Sequence, residues 1–480
     1  MAETDFSFFW HDYETFGRFP RRDRPAQFAG IRTDAALNET DAPVMLYCQP
    51  APDYLPDPES CLLTGITPQQ CLAQGQPEHA FAAAIEAQLA RPGTVGVGYN
   101  SIRFDDEVTR HLFWRNLMDP YAREWRDGCG RWDLLDVVRC MRALRPDGIV
   151  WPQHEDGKPS LKLEHLSQAN GLLHDAAHDA LSDVRATIAL ARLIRDRQPR
   201  LWDFCLRLRR KEAVLDEIGA NRPFLHVSGM FAPERGGLAL VWPLGPHPTN
   251  RNELIVWDLS ADPAVLRDLD AAAVRERLFT RAEDLPEGTG RLPIKTLHLN
   301  KSPIVVSNLK TLGDAQAARW NLDLVQALRH AETAAALTPD VAWLWPQVFE
   351  RPPAPVRPDV DEDLYGGFVG PSDRGRLDRL RALPPAQLAG RRNGFDDARL
   401  EELVFRWRAR NFPGTLDDAE QERWQQHRHA RLLDGEGGAL TIPAFFDRID
   451  ALGETADERG QEILSALYDY AEQIAPDISV

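Results

Sequence analysis

The sequence predicts a three-domain α/β protein, and three observations support this prediction. Strand-like and helix-like segments alternate through residues 1–197, which indicates a mixed α/β layer domain. Strand-like segments separated by Gly, Pro and Asn dominate residues 198–352, which indicates a small β-barrel with helical additions. The Pro-rich, charged stretch at residues 351–363 reads as a linker, and the segments of residues 353–480 are helical. A chain of 480 residues is also too long for a single core.

In the first domain, most of the strands precede the helices. The strand-like segments are FSFFWHDY, QFAGIRTD, VMLYCQP and, further along, GTVGVGYN. Apolar residues at i, i+3, i+4 and i+7 predict helices for EHAFAAAIEAQLA, DDEVTRHLFWRNLM, WDLLDVVRCMRAL, LKLEHLSQAN and ALSDVRATIALARLIRDR. We therefore expect strands with helices packed on both faces.

The other two domains differ in the kind of segment that they contain. The second has the strand-like segments PFLHVSGMF, GLALVWPLG, NELIVWDLS and LPIKTLHLNKSPIVVS. The third has the helical segments RLEELVFRWRARNF, DDAEQERWQQHRHARLL and GQEILSALYDYAEQI. A nearly all-helical C-terminal domain is therefore expected.

Composition excludes several classes of protein. The formal net charge of −17 argues against a general phosphate binder, although residues 195–211 form one basic stretch. The six cysteines contain no C-x-x-C pair, so we expect neither a zinc site nor a disulfide framework, and a reducing cytoplasm fits best. No run of 18 apolar residues is present and the first residues lack the pattern of a signal peptide, so no association with a membrane is expected.

Two carboxylates lie close together at the end of the first predicted strand. Residues i and i+2 of a strand point to the same face, so Asp12 and Glu14 are neighbours while Tyr13 points away. Neighbouring carboxylates repel each other, and a hard divalent cation such as Mg²⁺ or Mn²⁺ removes that conflict. The alternative is an ordinary pair of surface acids at a strand end.

Two further segments contain residues of the same kind. Asp105 follows Phe104 at the start of a predicted helix, and His178 precedes Asp183 by five residues at the start of another. The alternatives are that Asp105 caps its helix and that His178 is an ordinary loop histidine. Asp106 and Asp179 lie beside these candidates and could be mistaken for them.

The order D-x-E, then Asp after N-x-x-x-F, then H-x-x-x-x-D resembles the DEDDh 3′→5′ exonucleases. The resemblance implies that Asp12, Glu14, Asp105 and Asp183 hold two divalent ions, Mg²⁺ or its substitute Mn²⁺, and that His178 is the general base. Asp105 is preferred to Asp106 because it directly follows Phe104, as in the family motif. By the same logic Asp179 faces elsewhere.

Longer segments from residue 11 to about residue 424 resemble the bacterial exonuclease I family; they include HDYETFG, GYNSIRFDDEVTR, RWDLLDVVR, HVSGMF and ARNFPGTLDDAEQERW. The resemblance implies a ribonuclease H-like exonuclease domain (1–197), an SH3-like β-barrel domain (198–352) and a helical C-terminal domain (353–480). It implies a cytoplasmic, monomeric 3′→5′ exodeoxyribonuclease that acts on single-stranded DNA in repair and recombination and releases nucleoside 5′-monophosphates. It also implies a protein partner, the C-terminal tail of single-stranded-DNA-binding protein.

Single strands are held by cationic grooves with aromatic stacking platforms. The segment RHLFWRNLMDPYAREWRDG offers such residues soon after Asp105: Arg110, Trp114, Arg115, Tyr121, Arg123 and Trp125. By the resemblance, the residues that face the substrate are Arg110, Tyr121, Trp125, Arg139 and Lys162, together with Glu14. The alternative for Trp114 and Tyr121 is a place in the core.

One position departs from the family, and one surface has only candidates. Lys162 stands where the family often has Arg, so the bidentate phosphate contact of a guanidinium is lost while the charge is kept. Arg145 and the cluster of residues 207–211 are candidates to receive the partner's acidic tail, although ordinary solvated side chains remain the alternative.

Two other functions compete with this interpretation. The same catalytic residues would suit an exoribonuclease or a proofreading-type nuclease, but the length of chain beyond the nuclease domain favours the exonuclease I family. A catalytically inactive DNA-binding adaptor is the rival from a different class. It is disfavoured because all five catalytic positions carry the required side chains.

Overall fold

The computed structural model describes residues 6–172, 179–350 and 358–476. Among these residues the chain forms two compact units. Unit 1 consists of residues 6–130, 179–185 and 358–476, and unit 2 consists of residues 131–172 and 186–350. The first part of the predicted linker, residues 351–357, lies outside the described residues.

The first elements of the chain come in the predicted order, with two additional helices. They are β1 (Ser7–Thr15), β2 (Pro25–Thr33), β3 (Val44–Tyr47), α1 (Pro58–Thr64), α2 (Pro68–Gln74), α3 (Glu78–Leu89), β4 (Thr94–Gly98) and α4 (Asp105–Arg115). Helices α1 and α2 were not predicted from the sequence. Both are short, and each begins with Pro directly after a capping side chain, Asp57 or Thr67.

The elements after α4 form a run of helices that follows one strand, and then a region of strands with interspersed helices. A 3₁₀ helix at Ala122–Glu124 comes first. It is followed by β5 (Gly130–Asp133), α5 (Leu134–Leu144), α6 (Leu163–Ala169), α7 (Ala180–Arg197), α8 (Pro199–Arg207), α9 (Lys211–Ile218), β6 (Phe224–Val227), β7 (Leu238–Pro246), β8 (Glu253–Asp258), α10 (Ala271–Phe279), β9 (Ile294–His298), β10 (Ile304–Val306), α11 (Asp314–Arg319), α12 (Leu324–Val341) and α13 (Leu344–Val348).

The first sheet has the strand order β3-β2-β1-β4-β5. In it, β1 is antiparallel to β2 and parallel to β4. The register with β4 ends at the pair Trp10–Val97, whereas the register with β2 continues past Asp12, which lies opposite Ala29. The end of β1 that carries the two carboxylates therefore extends beyond its pairing with β4.

The second sheet belongs to unit 2 and has the order β10-β6-β7-β8-β9, with every neighbouring pair antiparallel. Its apolar side chains share a core with α9, formed in part by Val214, Phe224, Val241 and Val256. The small barrel predicted for this region is thus built around a five-stranded antiparallel sheet.

The residues after the predicted linker are helical, as predicted. A 3₁₀ helix at Asp363–Gly366 precedes α14 (Pro371–Arg381), α15 (Arg399–Asn411), α16 (Asp418–Leu432), α17 (Ile442–Gly453) and α18 (Glu458–Ile474). Helix α18 packs against α17, α1 and α2 around a core that includes Phe16, Leu467 and Tyr470. No helix in the described ranges is long and apolar enough to cross a membrane.

Unit 1 also contains a buried ion network that joins residues far apart in sequence. At its centre, Arg410 of α15 donates to Asp53 (Nη2–Oδ2 2.7 Å) and to Asp361 (Nη1–Oδ1 3.0 Å). Asp361 also accepts from Arg24 at 3.1 Å. The network contains Arg24, Asp53, Glu78, Arg115, Asp359, Asp361, Arg406, Arg410, His427 and Arg431.

Charge pairing keeps the centre of the network ionised. Burial alone would raise the pKa of Asp361, but the guanidinium groups of Arg410, Arg24 and Arg406 outweigh it and hold that pKa well below its usual range. Removing one partner of such a group leaves uncompensated buried charge, which is costly.

We predict that Asp361→Asn lowers the free energy of unfolding by about 3–5 kcal/mol, because three arginines lose a buried counter-charge. The contribution of Asp361 is present above its unfolded pKa near 4 and is lost as the pH falls through its lowered folded pKa. Urea unfolding at pH 7 measures the effect. Glu59→Gln is the control, since its partly exposed pair with Arg448 should contribute at most about 1 kcal/mol. Equal losses in both variants would contradict a special role for the network.

Candidate active site

Three of the predicted metal ligands lie together. One carboxylate oxygen each of Asp12, Glu14 and Asp183 lie within 4.8 Å of one another. Asp12 and Glu14 come from the end of β1, and Asp183 comes from the first turn of α7. Residues 171 positions apart in sequence thus form one cluster of hard oxygen ligands, which is the donor set that Mg²⁺ or Mn²⁺ prefers.

The alternation of side chains along β1 explains why its carboxylates point toward α7. Phe9 and Tyr13 pack on the opposite face of the strand, in a core shared with Phe28, Phe81 and residues of α3 and α4. The hydroxyl of Tyr13 is also hydrogen-bonded to Thr109 at 2.9 Å. Because this face is fixed by burial, a register slip of one residue would place two charges in the core.

Asp105, the fourth predicted ligand, is the first residue of α4 and approaches the same end of β1. Its Oδ1 accepts a hydrogen bond at 3.1 Å from the backbone N–H of Tyr13, the residue between Asp12 and Glu14 in the sequence. Among the described residues, the close cluster consists of Asp12, Glu14 and Asp183, and Asp105 is not part of it. It is buried and acts electrostatically on both Asp12 and Glu14.

The structure separates Asp105 from its neighbour Asp106. Asp106 forms a buried ion pair with Arg123, with 2.5 Å between Oδ1 and Nη2. The charge of Asp106 is therefore compensated inside the protein. Asp179 likewise accepts from the backbone N–H of Ser182 at 3.1 Å at the start of α7.

Crowding changes the acidity of the cluster. The pKa of Asp12 is raised well above its ordinary value, first by burial and then by the charges of Asp105, Glu14 and Asp183. Burial, followed by Asp183, Asp105 and Asp179, raises the pKa of Glu14 to about 8. Carboxylates that resist ionisation in this way are stabilised by a nearby cation, so the cluster is electrostatically suited to a metal.

The predicted general base, His178, lies outside the described residues. Another histidine, His11, directly precedes Asp12 and is buried. Burial, followed by the charge of Arg123, lowers the pKa of His11 to about 4, so its ring is neutral at pH 7. The role of His178 stays a prediction.

The residues of unit 1 that are predicted to face the DNA strand differ in exposure. The side chain of Trp125 is exposed and lies beside Arg126, and Tyr121 is half-buried. Arg110 is buried, and its guanidinium lies 5.2 Å from the centre of the Tyr121 ring. Trp125 is thus open to a nucleobase, whereas Arg110 is already held by protein groups.

The two residues of unit 2 that are predicted to face the DNA strand both have carboxylate partners. Arg139 on α5 donates to Asp136 at 2.6 Å and is mostly covered. Lys162 directly precedes α6, its side chain is exposed, and its Nζ lies 3.3 Å from Glu164. An exposed ammonium in a weak surface pair is available to a phosphate.

Three further residues in the segment after Asp105 are buried, and for Trp114 this is the core position that was the alternative. Trp114 is buried with Leu377 and Leu403, and its indole N–H donates to the carbonyl of Val360 at 2.8 Å. Arg115 and Arg123 are buried in ion pairs with Glu78 and Asp106. Helical spacing placed these residues near Asp105, but it did not reveal which of them point inward.

One further aromatic residue contacts α4, and its position could not be predicted from the sequence. Tyr365, in the 3₁₀ helix that precedes α14, contacts α4 one turn after Asp105: its hydroxyl donates to Glu107 and accepts from Arg110 at 3.1 Å. Tyr365 follows the Pro-rich linker, 260 positions after Asp105, and no motif links the two segments.

We predict that the protein loses stability in EDTA as the pH rises from about 5 to about 8. Folded Glu14, with its pKa of about 8, keeps a proton that the unfolded chain releases near pH 4.5, so the unfolded state gains on the folded state as the pH rises. Each such group contributes a slope of at most about 1.4 kcal/mol per pH unit. Glu14→Gln should reduce this slope and raise stability at pH 8, as measured by urea unfolding. A variant less stable than the wild type at pH 8 would refute the assigned repulsion.

Comparison with known proteins identifies three families along the chain. Sequence profiles match residues 9–191 to the exonuclease family, residues 209–351 to the exonuclease I SH3-like domain and residues 358–474 to the exonuclease I C-terminal domain. These matches confirm the predicted fold class. The predicted boundaries at residues 197 and 352 stay a prediction.

Relatives match along almost the entire chain. Exodeoxyribonuclease I of Escherichia coli K12 is 44% identical over 473 residues, 98% of each protein. Among solved structures, exonuclease I from Methylocaldum szegediense is 48% identical with a TM-score of 0.92, covering 98% of this chain and 99% of the other. E. coli exonuclease I in complex with a dA16 oligonucleotide is 43% identical with a TM-score of 0.93, covering 98% and 100%. Another structure of the E. coli enzyme with single-stranded DNA holds a zinc ion. A further exonuclease I structure is described as SSB/exonuclease I in complex with an inhibitor.

Proposed function

Because this chain belongs to the exonuclease I family, we propose that its acidic cluster hydrolyses single-stranded DNA with two divalent ions, Mg²⁺ or Mn²⁺. The chain is a 3′→5′ exodeoxyribonuclease acting on single strands. The main observation in support of this mechanism is that one carboxylate oxygen each of Asp12, Glu14 and Asp183 lie within 4.8 Å of one another. The products are nucleoside 5′-monophosphates.

The residues present fit a hard divalent cation. Three carboxylates converge, and the pKa values of Asp12 and Glu14 are raised by burial and by their acidic neighbours. Asp12, Glu14, Asp105 and Asp183 would hold the ions. When bound, such ions activate a water and stabilise the charge that develops on the leaving 3′ oxygen.

The protein's own residues divide the remaining tasks. Asp105 joins the start of α4 to the middle of the D-x-E segment through the Tyr13 N–H, which supports the alignment of the two elements. His178 accepts the proton of the attacking water, since an ordinary imidazole titrates near neutral pH. Lys162 and Arg139 contact phosphates of the bound DNA strand, and Tyr121 and Trp125 stack on its bases. Arg110 and Glu14 face the same DNA strand.

Partners and setting follow from the same family. We assign the chain to DNA repair and recombination as a cytoplasmic monomer, in keeping with its six free cysteines. Its protein partner is the C-terminal tail of single-stranded-DNA-binding protein, a proposal that the SSB/exonuclease I structure supports. Candidate contacts for the tail are Arg145, which donates to the carbonyl of Thr311 at 2.9 Å, and the cluster of residues 207–211.

We predict that Asp183→Asn lowers kcat on 3′-ended single strands by more than about 100-fold, because loss of a direct metal ligand should exceed the effect of losing an outer contact. Oligonucleotides labelled at the 3′ or 5′ end, as DNA and RNA and in single- and double-stranded form, measure rate, polarity and sugar choice together. Asp196→Asn on the same helix, α7, is the matched control and should retain the wild-type rate, because Asp196 is exposed. Full turnover by Asp183→Asn would refute the site.

Removal of metal provides an independent test. We expect EDTA to abolish cleavage and excess Mg²⁺ or Mn²⁺ to restore it, because the carboxylates alone do not supply Lewis acidity. A titration of Mg²⁺ against the rate of nucleotide release measures the requirement. Cleavage that persists in EDTA would rule out the metal mechanism.

A further inference from the structure

Arg110 is surrounded by carboxylates although it lies on the helix that begins with a predicted metal ligand. Glu124 accepts from its Nε at 2.7 Å and from its Nη2 at 2.8 Å, and Glu107 accepts from its Nη1 at 2.8 Å. All three nitrogens of the guanidinium are thus bonded to carboxylates. The side chains of Arg110, Glu124 and Glu107 are 8%, 9% and 19% exposed.

The geometry determines what a phosphate would have to displace. A guanidinium binds an oxyanion in bidentate fashion through Nε with one Nη, or through both Nη atoms. Glu124 occupies the first edge of Arg110, and Glu107 bonds to a nitrogen of the second. A bidentate phosphate contact with Arg110 therefore requires at least one carboxylate to move.

Glu107 contacts Arg110 through one of its oxygens. It lies on α4 with Arg110, and its second oxygen accepts from the hydroxyl of Tyr365. Glu124 comes from the short 3₁₀ helix and bonds to Arg110 through both of its oxygens, which is the geometry that a phosphate would adopt. Glu124 is therefore the group that an incoming phosphate would replace.

We propose that Glu124 competes with the DNA phosphate for Arg110 and so weakens the binding of single strands. This inference rests on the proposed function, in which Arg110 faces the strand. The carboxylate of Glu124 imitates a phosphate, and the pair must open before Arg110 neutralises a phosphate of the substrate. Glu124 thus sets substrate affinity without taking part in the chemistry.

The electrostatic balance supports this direction. Burial would lower the pKa of Arg110, but Glu124, followed by Tyr365 and Glu107, outweighs it and raises that pKa. Two carboxylates around one guanidinium give the group a formal charge of −1, which repels a polyanion. Replacing Glu124 by Gln brings the formal charge to zero and leaves the ion pair with Glu107.

The test is the equilibrium binding of a short 5′-labelled oligothymidylate to the full-length protein in EDTA, which prevents cleavage. We expect Glu124→Gln to lower the Kd by about three- to tenfold at low salt. The slope of log Kd against log salt should steepen by at most about 0.7, the value for one additional phosphate on a single strand. Glu59→Gln, which removes the same charge from a surface pair with Arg448, is the control and should leave the Kd unchanged.

The variant Arg110→Gln and the double variant separate the possible results. If Arg110→Gln weakens binding and Glu124→Gln tightens it only when Arg110 is present, the proposal is supported. If Glu124→Gln weakens binding as Arg110→Gln does, Glu124 orients Arg110 and the proposal is overturned. The proposed contact between Arg110 and the DNA is still supported in that case. Equal tightening by Glu59→Gln would also overturn it, since net charge would then explain the gain.

A different result is expected if Arg110 does not contact the DNA at all. If Arg110→Gln leaves the Kd unchanged, Arg110 does not face the DNA, and the proposed function fails at this position together with the inference. Thermal unfolding measurements check that each variant is folded. If Glu124→Gln does not fold, Glu124→Ala is used in its place. Glu124→Ala is expected to shift the Kd in the same direction, and a shift in the opposite direction would overturn the proposal.

Discussion

Pairing of buried charge is the constraint on which unit 1 depends. Arg410 of α15 lies between Asp53 and Asp361, whose positions in the sequence differ by 308 residues. Each of these groups would be costly to bury alone, and together they hold the C-terminal helices against the first strands and helices of the chain. The apolar core of α1, α2, α17 and α18 joins the same parts of the chain.

The acidic cluster follows the opposite rule, because like charges are brought together. Burial and repulsion raise the pKa values of Asp12 and Glu14, so the site has a cost in stability that a divalent cation offsets. The surrounding structure maintains this arrangement. Tyr13, which separates the two carboxylates in sequence, is buried on the opposite face of β1, and its backbone N–H donates to Asp105 at the start of α4.

Arginine has more than one role near this site. Arg123 neutralises Asp106 inside the protein, whereas Arg110 is bonded to Glu107 and Glu124 next to the predicted strand path. In a chain with a net charge of −17, DNA binding has to come from local groups rather than from the overall field. The partners of each arginine, rather than the number of arginines, therefore decide where a strand can bind.

Several features could be predicted from the sequence because they depend on local periodicity. The two-residue repeat of β1 places Asp12 and Glu14 on one face. The choice of Asp105 over Asp106 rested instead on the resemblance to the family motif, because Asp105 directly follows Phe104. The structure places Asp12, Glu14 and Asp183 together and gives Asp106 its own partner, Arg123. Short helices such as α1 escaped prediction because seven residues show too little periodicity.

Only the tertiary structure decided which polar residues are used internally. Arg115, Arg123 and Arg110 have the same side chain and lie within 14 positions, yet each is bonded to a different set of carboxylates. The approach of Tyr365 to α4 likewise depends on how the C-terminal helices pack. Sequence patterns determine which face of a strand or helix a residue occupies, whereas its pKa and its availability to a ligand depend on groups that only folding brings within a few ångströms.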